Sequence, residues 1–375
     1  MNSIDWRQVR SEFPVLSHWT HLDTATYGAS PRRATEAVVR HLARRDDQAC
    51  MDFLEWFDDL DRMRTVCAQL INCRAADIAF VTSASAGMAL LVNGLTWQPG
   101  DEVITLEGEF PNQLYVSALL ERYGAQLRTV PWSKFYDSVT PRTRLAVLSS
   151  VNYATGFRAP LEEISAFLAQ RGVLLYVDGT QSVGALQFDV ARVRPAMLSV
   201  NGYKWLMSPN GAGFVYVAPQ VRERVAPSVV GWRSDAHWRE VQNLHHGAPR
   251  FAASAERYEA GMPPFPSLYA MAAVIELLLE LGPGAVEARV LELAAATRAM
   301  LRELDAEVNA DDSPVVTAVV PGCNAAALAA ALKAKRILTS ARHGRLRVSP
   351  HLYNSEEDIH ALRTALVGLK ARSKS

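Results

Sequence analysis

Ser199-Val200-Asn201-Gly202-Tyr203-Lys204-Trp205 stands between two apolar runs, with the turn-forming Pro209-Asn210-Gly211-Ala212-Gly213 behind it. Upstream, Leu174-Leu175-Tyr176-Val177-Asp178-Gly179-Thr180-Gln181 is an apolar, strand-like run that ends in an acid. One strand thus delivers an aspartate at its carboxyl end, and the next leads into a loop that carries a lysine. That is the pattern of an α/β sheet whose site lies beyond its strand ends.

Outward from this pair the chain alternates. Helical periodicity covers residues 52–71, and a short strand at 77–82 leads to a helix at 85–95. Strands are expected at 102–106, 126–131, 145–151, 173–177, 197–200 and 213–217, with helices at 112–123 and 161–170. Such alternation predicts a mostly parallel sheet wrapped by helices. Beyond residue 281 the pattern shrinks to helices at 284–303 and 325–335, strands at 315–320 and 345–348, and a helix from Glu356. The expected organisation is a large domain over 18–280 and a smaller α+β domain over 281–375, with segment 1–17 packing on the latter.

Composition narrows the partners. Lys+Arg and Asp+Glu both total 39, so the formal charge is zero and no nucleic-acid partner is expected. The longest apolar helix-like stretch, 267–281, contains Glu276 and Glu280 and is too short to span a bilayer, so no membrane is expected either. Cys50, Cys67, Cys73 and Cys323 form no CxxC and no His-paired spacing, which predicts buried thiols and no metal site. The first residues lack a charged-then-apolar signal pattern, and the expected location is cytoplasmic.

The chemistry of the central pair fits pyridoxal 5′-phosphate (PLP). Lys204 offers a Schiff-base amine. Asp178 can keep a pyridine nitrogen protonated, and Gln181 can bond the ring hydroxyl. Thr82-Ser83-Ala84-Ser85-Ala86-Gly87, between a strand and a helix, can cradle phosphate on backbone N–H groups and the Ser85 hydroxyl. Glu109-Phe110-Pro111-Asn112 places Phe110 where it could stack on a planar ring, and Ser150-Val151-Asn152-Tyr153 ends another strand with groups that could reach ring or substrate. Arg347, in Arg345-Leu346-Arg347-Val348, could hold a carboxylate through two parallel hydrogen bonds. Taken singly, these are equally an ordinary serine N-cap, a core phenylalanine before a proline-started helix, a turn and a solvated strand arginine. Gly211-Ala212-Gly213 opens no helix and is no dinucleotide fingerprint, and no G-x-S-x-G occurs.

From Leu22-Asp23-Thr24-Ala25-Thr26 to His351-Leu352-Tyr353-Asn354 the chain resembles the class V aminotransferase and cysteine desulfurase family of fold-type I PLP enzymes. The Asp-x-x-Gln spacing and the 26-residue step from Asp178 to Lys204 carry the resemblance. It implies phosphate contacts from the Ala84 backbone, Ser85, Asn201 and Tyr203, and substrate carboxylate on Arg347. It also implies a homodimer with shared active sites, joined through Glu259-Ala260-Gly261-Met262-Pro263 and Val230-Gly231-Trp232. Three departures stand out. Phe110 occupies the place of the desulfurase ring histidine, Met262 stands where a hydroxyl is usual, and Ile337-Leu338-Thr339-Ser340-Ala341-Arg342-His343-Gly344 lacks the desulfurase cysteine. Thr155-Gly156-Phe157-Arg158 and Gly202-Tyr203-Lys204-Trp205 resemble the isopenicillin N epimerase-like branch. The implied function is a PLP enzyme acting on an amino acid or related amine, most simply of the aminotransferase type. Epimerisation, C–S lysis and non-catalytic PLP binding are the alternatives, since one fold hosts all of them.

Overall fold

In chain order the strands are Thr20–His21 (β1), Ile78–Val81 (β2), Glu102–Leu106 (β3), Gln126–Val130 (β4), Thr143–Ser149 (β5), Leu174–Asp178 (β6), Met197–Asn201 (β7), Gly213–Val217 (β8), Glu307–Val308 (β9), Val316–Val319 (β10), Ile337–Leu338 (β11), Ser340–Arg342 (β12) and Arg345–Val348 (β13). The structure is a computed structural model that describes residues 4–245, 247–310 and 312–372. Seven of these strands make the central sheet, in the order β2-β8-β7-β6-β5-β3-β4. Pairing from β4 across to β7 is parallel, whereas β8 is antiparallel to both of its neighbours. The inner strands are apolar on both faces because helices cover both; Leu145, Val147, Leu175, Val177, Phe214 and Val215 are all buried.

Two features of this topology create the site. The chain steps from β3 outward to β4 and then crosses back to β5, so the strand order reverses at the β3/β5 boundary. Ligands of open α/β sheets sit at such a switch point, beyond the carboxyl strand ends. Because β8 opposes both β2 and β7, strand β2 runs the same way as β7. The helix Ala84–Gly94 therefore starts at the edge where Asp178 and Asn201 emerge. It also packs close: a Cβ on Gly87 would lie 2.2 Å from Ser199 Oγ.

The smaller sheet runs β12-β13-β10-β9 and is antiparallel. Its apolar face and the helices Pro283–Glu303, Ala325–Ala334 and Glu356–Arg372 enclose a second core that includes Leu301, Leu332, Leu346 and Leu362. The N-terminal segment is stitched to this side. Strand β1 pairs parallel with β11, Leu22 joins the second core, and Arg10 bonds Asp358 at 2.7 Å. That anchoring lays residues 22–29 over the lysine loop. Gly28 donates its N–H to the Tyr203 carbonyl at 3.0 Å, and a Cβ there would lie 2.0 Å from the Lys204 carbonyl oxygen.

Most sequence-expected elements recur within a few residues; the short strands β1, β9, β11 and β12 are additions, and two larger differences stand out. The expected helix at 112–123 is divided into Pro111–Tyr115, Ser117–Leu120 and a 3-10 turn at Glu121–Tyr123. The division turns Val116 and Gln113 inward, at 2% and 0% exposure. The helix Arg32–Gln48 was not expected. Its buried residues are only Ala34, Ala37 and His41, too thin an apolar stripe to stand out among its arginines. It packs on Phe265–Leu281, a core helix that also contacts Phe53–Leu70. Among the described residues no single helix is long and apolar enough to cross a membrane.

Candidate active site

A cavity of about 180 Å³ opens over the carboxyl ends of β5, β6 and β7. Lys204, Asp178, Gln181, Asn201, Tyr203 and Tyr153 contribute to its wall, with Ser85 and Phe110. Lys204 is 8% exposed. Among the described residues no carboxylate lies within ion-pair distance of its amine. Its Nζ stands 5.5 Å from the Phe110 ring centroid and 5.8 Å from that of Tyr203. Burial pushes its pKa down to about 8, with Arg347 and Arg342 adding to the effect and Asp178 opposing it. Roughly a quarter of such an amine is neutral at pH 7.5, against about one part in a thousand for an ordinary lysine.

Asp178 faces the lysine from the end of β6, at 7% exposure. Its Oδ1 accepts the Thr180 N–H at 2.9 Å, and its Oδ2 accepts from Gln113 Nε2 at 3.1 Å. The same Gln113 nitrogen reaches Ser149 Oγ at 3.1 Å. Ser149 in turn donates its hydroxyl to Glu109 Oε2 at 2.5 Å and its N–H to Oε1 at 2.8 Å. Gln113 thus donates both to the aspartate and to Ser149 on β5, and Ser149 donates onward to Glu109. Glu109 is nine-tenths buried or more, and burial pushes its carboxyl up to about 7. The Ser149 hydrogen bonds partly counter that rise, and the Asp178 charge reinforces it.

Gln181 is braced at both ends of its amide. Its Nε2 donates to the Ala25 carbonyl at 3.0 Å, and its Oε1 accepts from Trp205 Nε1 at 2.9 Å. The cavity is capped on the helix side by Ser83, whose hydroxyl accepts the Ala86 N–H at 3.2 Å. Of the expected phosphate contacts, Ala84 is placed differently from the rest. Its N–H is not open to the cavity but is donated to Asn201 Oδ1 at 2.9 Å, because a first-turn amide has no partner inside the helix. Ser85, Asn201 and Tyr203 do face the cavity.

Arg347 lies beside the cavity rather than in its wall, at 1% exposure. Its Nε donates to Ser340 Oγ at 3.0 Å and its Nη1 to the Tyr153 carbonyl at 2.8 Å. Its Nη2 reaches Asp23 Oδ1 at 3.3 Å and also bonds Thr26 Oγ1. Burial pushes its pKa down to about 10, against the pull of Asp23. Tyr153 lies in the cavity wall, edge-on to Phe110 with centroids 5.1 Å apart, and its hydroxyl meets His343 Nε2 at 2.8 Å. The expected residues therefore converge around one cavity. Gln113, Ser149, Glu109, Asp23 and Thr26 were not singled out from the sequence, since nothing local marks them.

A larger cavity, about 620 Å³, lies between Arg158, Glu162, Arg192 and Glu287. Its charges are already matched, Arg158 with Glu287 and Arg192 with Glu162, so size does not make it the reactive centre. The unmatched amine and the perturbed groups are in the smaller one.

Residues 54–362 match the family described as Aminotransferase class-V. The chain belongs to the class V aminotransferase family. Its relatives include the isopenicillin N epimerase of Streptomyces clavuligerus, 28% identical over 97% of this chain and 98% of that one. A probable cysteine desulfurase of Pyrococcus abyssi is 24% identical over 94% of each chain. The kynureninase of Deinococcus radiodurans is 29% identical over 76% of this chain and 71% of its own. Among solved structures, a mutant of C-DES with glycine covalently linked to the PLP cofactor superposes with a TM-score of 0.89. It shares 23% identity and covers 95% of this chain and 98% of that one. The apo cysteine desulfurase of Thermococcus onnurineus has the same TM-score at 21% identity, covering 98% and 99%. The fold is fold type I.

The cofactor of this family member is PLP, and the residues present fit it. A buried amine with no acidic partner is costly to hold as a mere structural group. Here it faces a buried carboxylate across a cavity that a helix N-terminus and hydroxyl groups close at one end. When bound, PLP supplies an electron-accepting pyridine ring for bond breaking at the substrate's α-carbon.

Proposed function

We propose that this class V enzyme carries out an aminotransferase-type reaction on an α-amino acid, with Lys204 as covalent anchor of PLP and then as the base that moves the α-proton. The observation that carries the reading is the Lys204 amine: buried, free of any carboxylate partner among the described residues, and held near pKa 8. A base works best when its pKa is near the operating pH. In this reading Asp178 pairs with the pyridine nitrogen, with Gln113 and Thr180 fixing its two oxygens. Gln181 directs its remaining amide hydrogen to the ring hydroxyl, and Phe110 and Tyr153 flank the ring. Ser85, Asn201 and Tyr203 hold the phosphate end, with Ala84 acting through Asn201. Arg347 receives the α-carboxylate. None of the four cysteines lines the cavity, and the segment 337–344 carries no thiol for persulfide chemistry.

The reading extends to the assembly. We infer an isologous homodimer that shares its active sites through residues 259–263 and 230–232. Glu259 anchors the first segment, accepting from Arg64, Arg233 and the Phe80 N–H. Burial alone would raise its pKa, but Arg64 and then Arg233 hold it below the usual carboxylate range. The apolar Met262 and Val229 nearby are 58% and 65% exposed, which favours a covering partner. We also propose a division into a large domain and a small one near Gly282, where the chain turns with φ 84°. A cytoplasmic location and a small-molecule partner, with neither nucleic acid nor membrane, complete the proposal.

Borohydride reduction of the PLP-loaded protein followed by peptide mapping tests the anchor. The label is expected on the Lys204 peptide; recovery on another lysine overturns the assignment. Amino-nitrogen transfer to a 2-oxo acid tests the reaction. Loss of chirality without transfer would favour epimerisation, and sulfide release from cysteine would favour C–S lysis.

A further inference from the structure

Arg342 ends β12 directly opposite Arg345 on β13, and it is half-buried beside Arg347, with which it shares the Thr26 hydroxyl. Three arginines lie on this hairpin, and their partners differ. Arg345 pairs with Glu307 at 2.6 Å, and Arg347 pairs with Asp23 at 3.3 Å. Arg342 has no carboxylate within ion-pair distance among the described residues. Its Nη1 bonds only the carbonyl of its neighbour Ala341, at 2.8 Å. Its Nη2 bonds Thr26 Oγ1 at 3.3 Å, and that same hydroxyl takes Nη2 of Arg347. One threonine thus bridges two like-charged guanidinium groups.

The local balance of charge is uneven. Lys204, Arg342 and Arg347 converge on this rim, while Asp23 is the carboxylate among them and Asp178 lies at the cofactor end. Arg342 stands close enough for its charge to depress the pKa of both Lys204 and Arg347. Like charges gathered at a half-buried site cost free energy unless an anion joins them. One α-carboxylate on Arg347 leaves the second guanidinium unmatched, and a guanidinium fork is shaped for a carboxylate.

We infer that Arg342 receives a second carboxylate on the substrate, so that the site selects dicarboxylic amino acids. This rests on the reading that the cavity binds an amino acid with its α-carboxylate on Arg347. Arg342 in that case sets specificity: Thr26 holds the two guanidinium groups side by side, one for each end of a short diacid. His343, next in the chain, bonds the hydroxyl of Tyr153, which lines the cavity.

The test compares matched acids and amides on the PLP-loaded full chain, with the visible spectrum as readout. L-Aspartate against L-asparagine, L-glutamate against L-glutamine, and L-alanine as a minimal ligand are titrated to give dissociation constants. At least one acid is expected to bind about tenfold or more tighter than its amide, the scale of a charge-assisted bidentate contact. Arg342→Gln is expected to erase that preference while leaving the L-alanine constant within about twofold, and Arg342→Lys to retain part of it. Amides that bind as tightly as their acids, or an Arg342→Gln variant that weakens all five ligands equally, overturn the inference. A different pattern marks failure of the underlying reading. If Arg347→Lys leaves L-alanine binding unchanged, the α-carboxylate is not on Arg347. If none of the five ligands alters the spectrum, the amino-acid site falls and the diacid inference with it.

Discussion

Gln113 donates its side-chain amide to Asp178 Oδ2 at 3.1 Å from a helical piece only five residues long, Pro111–Tyr115. With the Thr180 N–H on Oδ1, both oxygens of a nearly buried carboxylate have a donor. The geometry therefore makes Gln113 a positioning residue: it fixes the orientation of the acid without being required to touch substrate.

Gln113→Leu should expose that role. Removing one hydrogen bond to a charged, buried acceptor costs on the order of 1.5–3 kcal/mol. We expect kcat to fall by about tenfold or more, with KM little changed, and the absorption band of the bound cofactor to shift its pH dependence. Asp178→Ala should nearly abolish turnover while some cofactor stays bound through the phosphate end and Lys204. A Gln113→Leu enzyme with normal kcat and an unshifted pH profile would remove Gln113 from the catalytic machinery.

Glu109 carries a pH signature of its own. Burial holds its folded-state pKa at about 7, above the ordinary carboxyl value of 4.5. A carboxyl raised on folding gives stability that is full below the unfolded pKa and is lost as pH rises through the folded one. The wild-type chain should therefore lose stability between pH 4.5 and about 7, by up to about 3 kcal/mol for the full shift. Glu109→Gln cannot titrate and keeps an acceptor for Ser149, so its stability should fall less over that window. Urea midpoints of both proteins at pH 5 and pH 8 measure this, and identical changes in the two would count against a buried, proton-holding Glu109.

The residues that declared themselves in the sequence are those whose chemistry is tied to a local pattern. Asp178 and Lys204 each follow an apolar strand, and the 102–106, 213–217 and 345–348 strands stand where hydrophobic alternation and turn residues place them. Gln113 had no such mark. It bonds an aspartate 65 positions away, and its orientation depends on a break in a helix whose periodicity looks continuous. Thr26 and Arg347 meet across 321 positions, through the parallel pairing of two-residue strands too short to carry a periodic signal. Ala84 shows the reverse case: its motif is visible in the sequence, but the side chain from β7 that takes its amide is not.

Arg347→Lys keeps the charge and loses the fork. Ser340, Asp23, Thr26 and the Tyr153 carbonyl together hold the guanidinium in one orientation, and an ammonium cannot satisfy four such partners from one atom. Substrate binding should weaken by about 1.5–3 kcal/mol, or roughly ten- to a hundredfold. The cofactor spectrum without substrate should not change. Wild-type amino-acid affinity in this variant would transfer the α-carboxylate to another arginine.

His351 ties the end of β13 to the lysine loop, and its protonation can be read from its neighbours. The Leu352 N–H donates to Nδ1 at 2.7 Å, so the proton sits on Nε2, which donates to the Trp205 carbonyl at 2.9 Å. Trp205 passes the constraint on through its indole N–H to Gln181. Full burial pushes the imidazole pKa down to about 4, from an ordinary 6.5, with the Trp205 bond only partly opposing. A histidine depressed in this way gives stability that is intact above the unfolded pKa and is lost as pH falls toward the folded one. Between pH 6.5 and 4.5 the loss assignable to His351 should be about 2 kcal/mol, and His21, also lowered by burial, adds to it. His351→Gln keeps a donor for the Trp205 carbonyl but cannot titrate. Its urea midpoint should therefore fall less steeply than that of the wild type over this range, even if it is lower at neutral pH. Parallel midpoint curves for the two proteins down to pH 4.5 would show that His351 is not held neutral and that the link between the small sheet and the lysine loop does not depend on it.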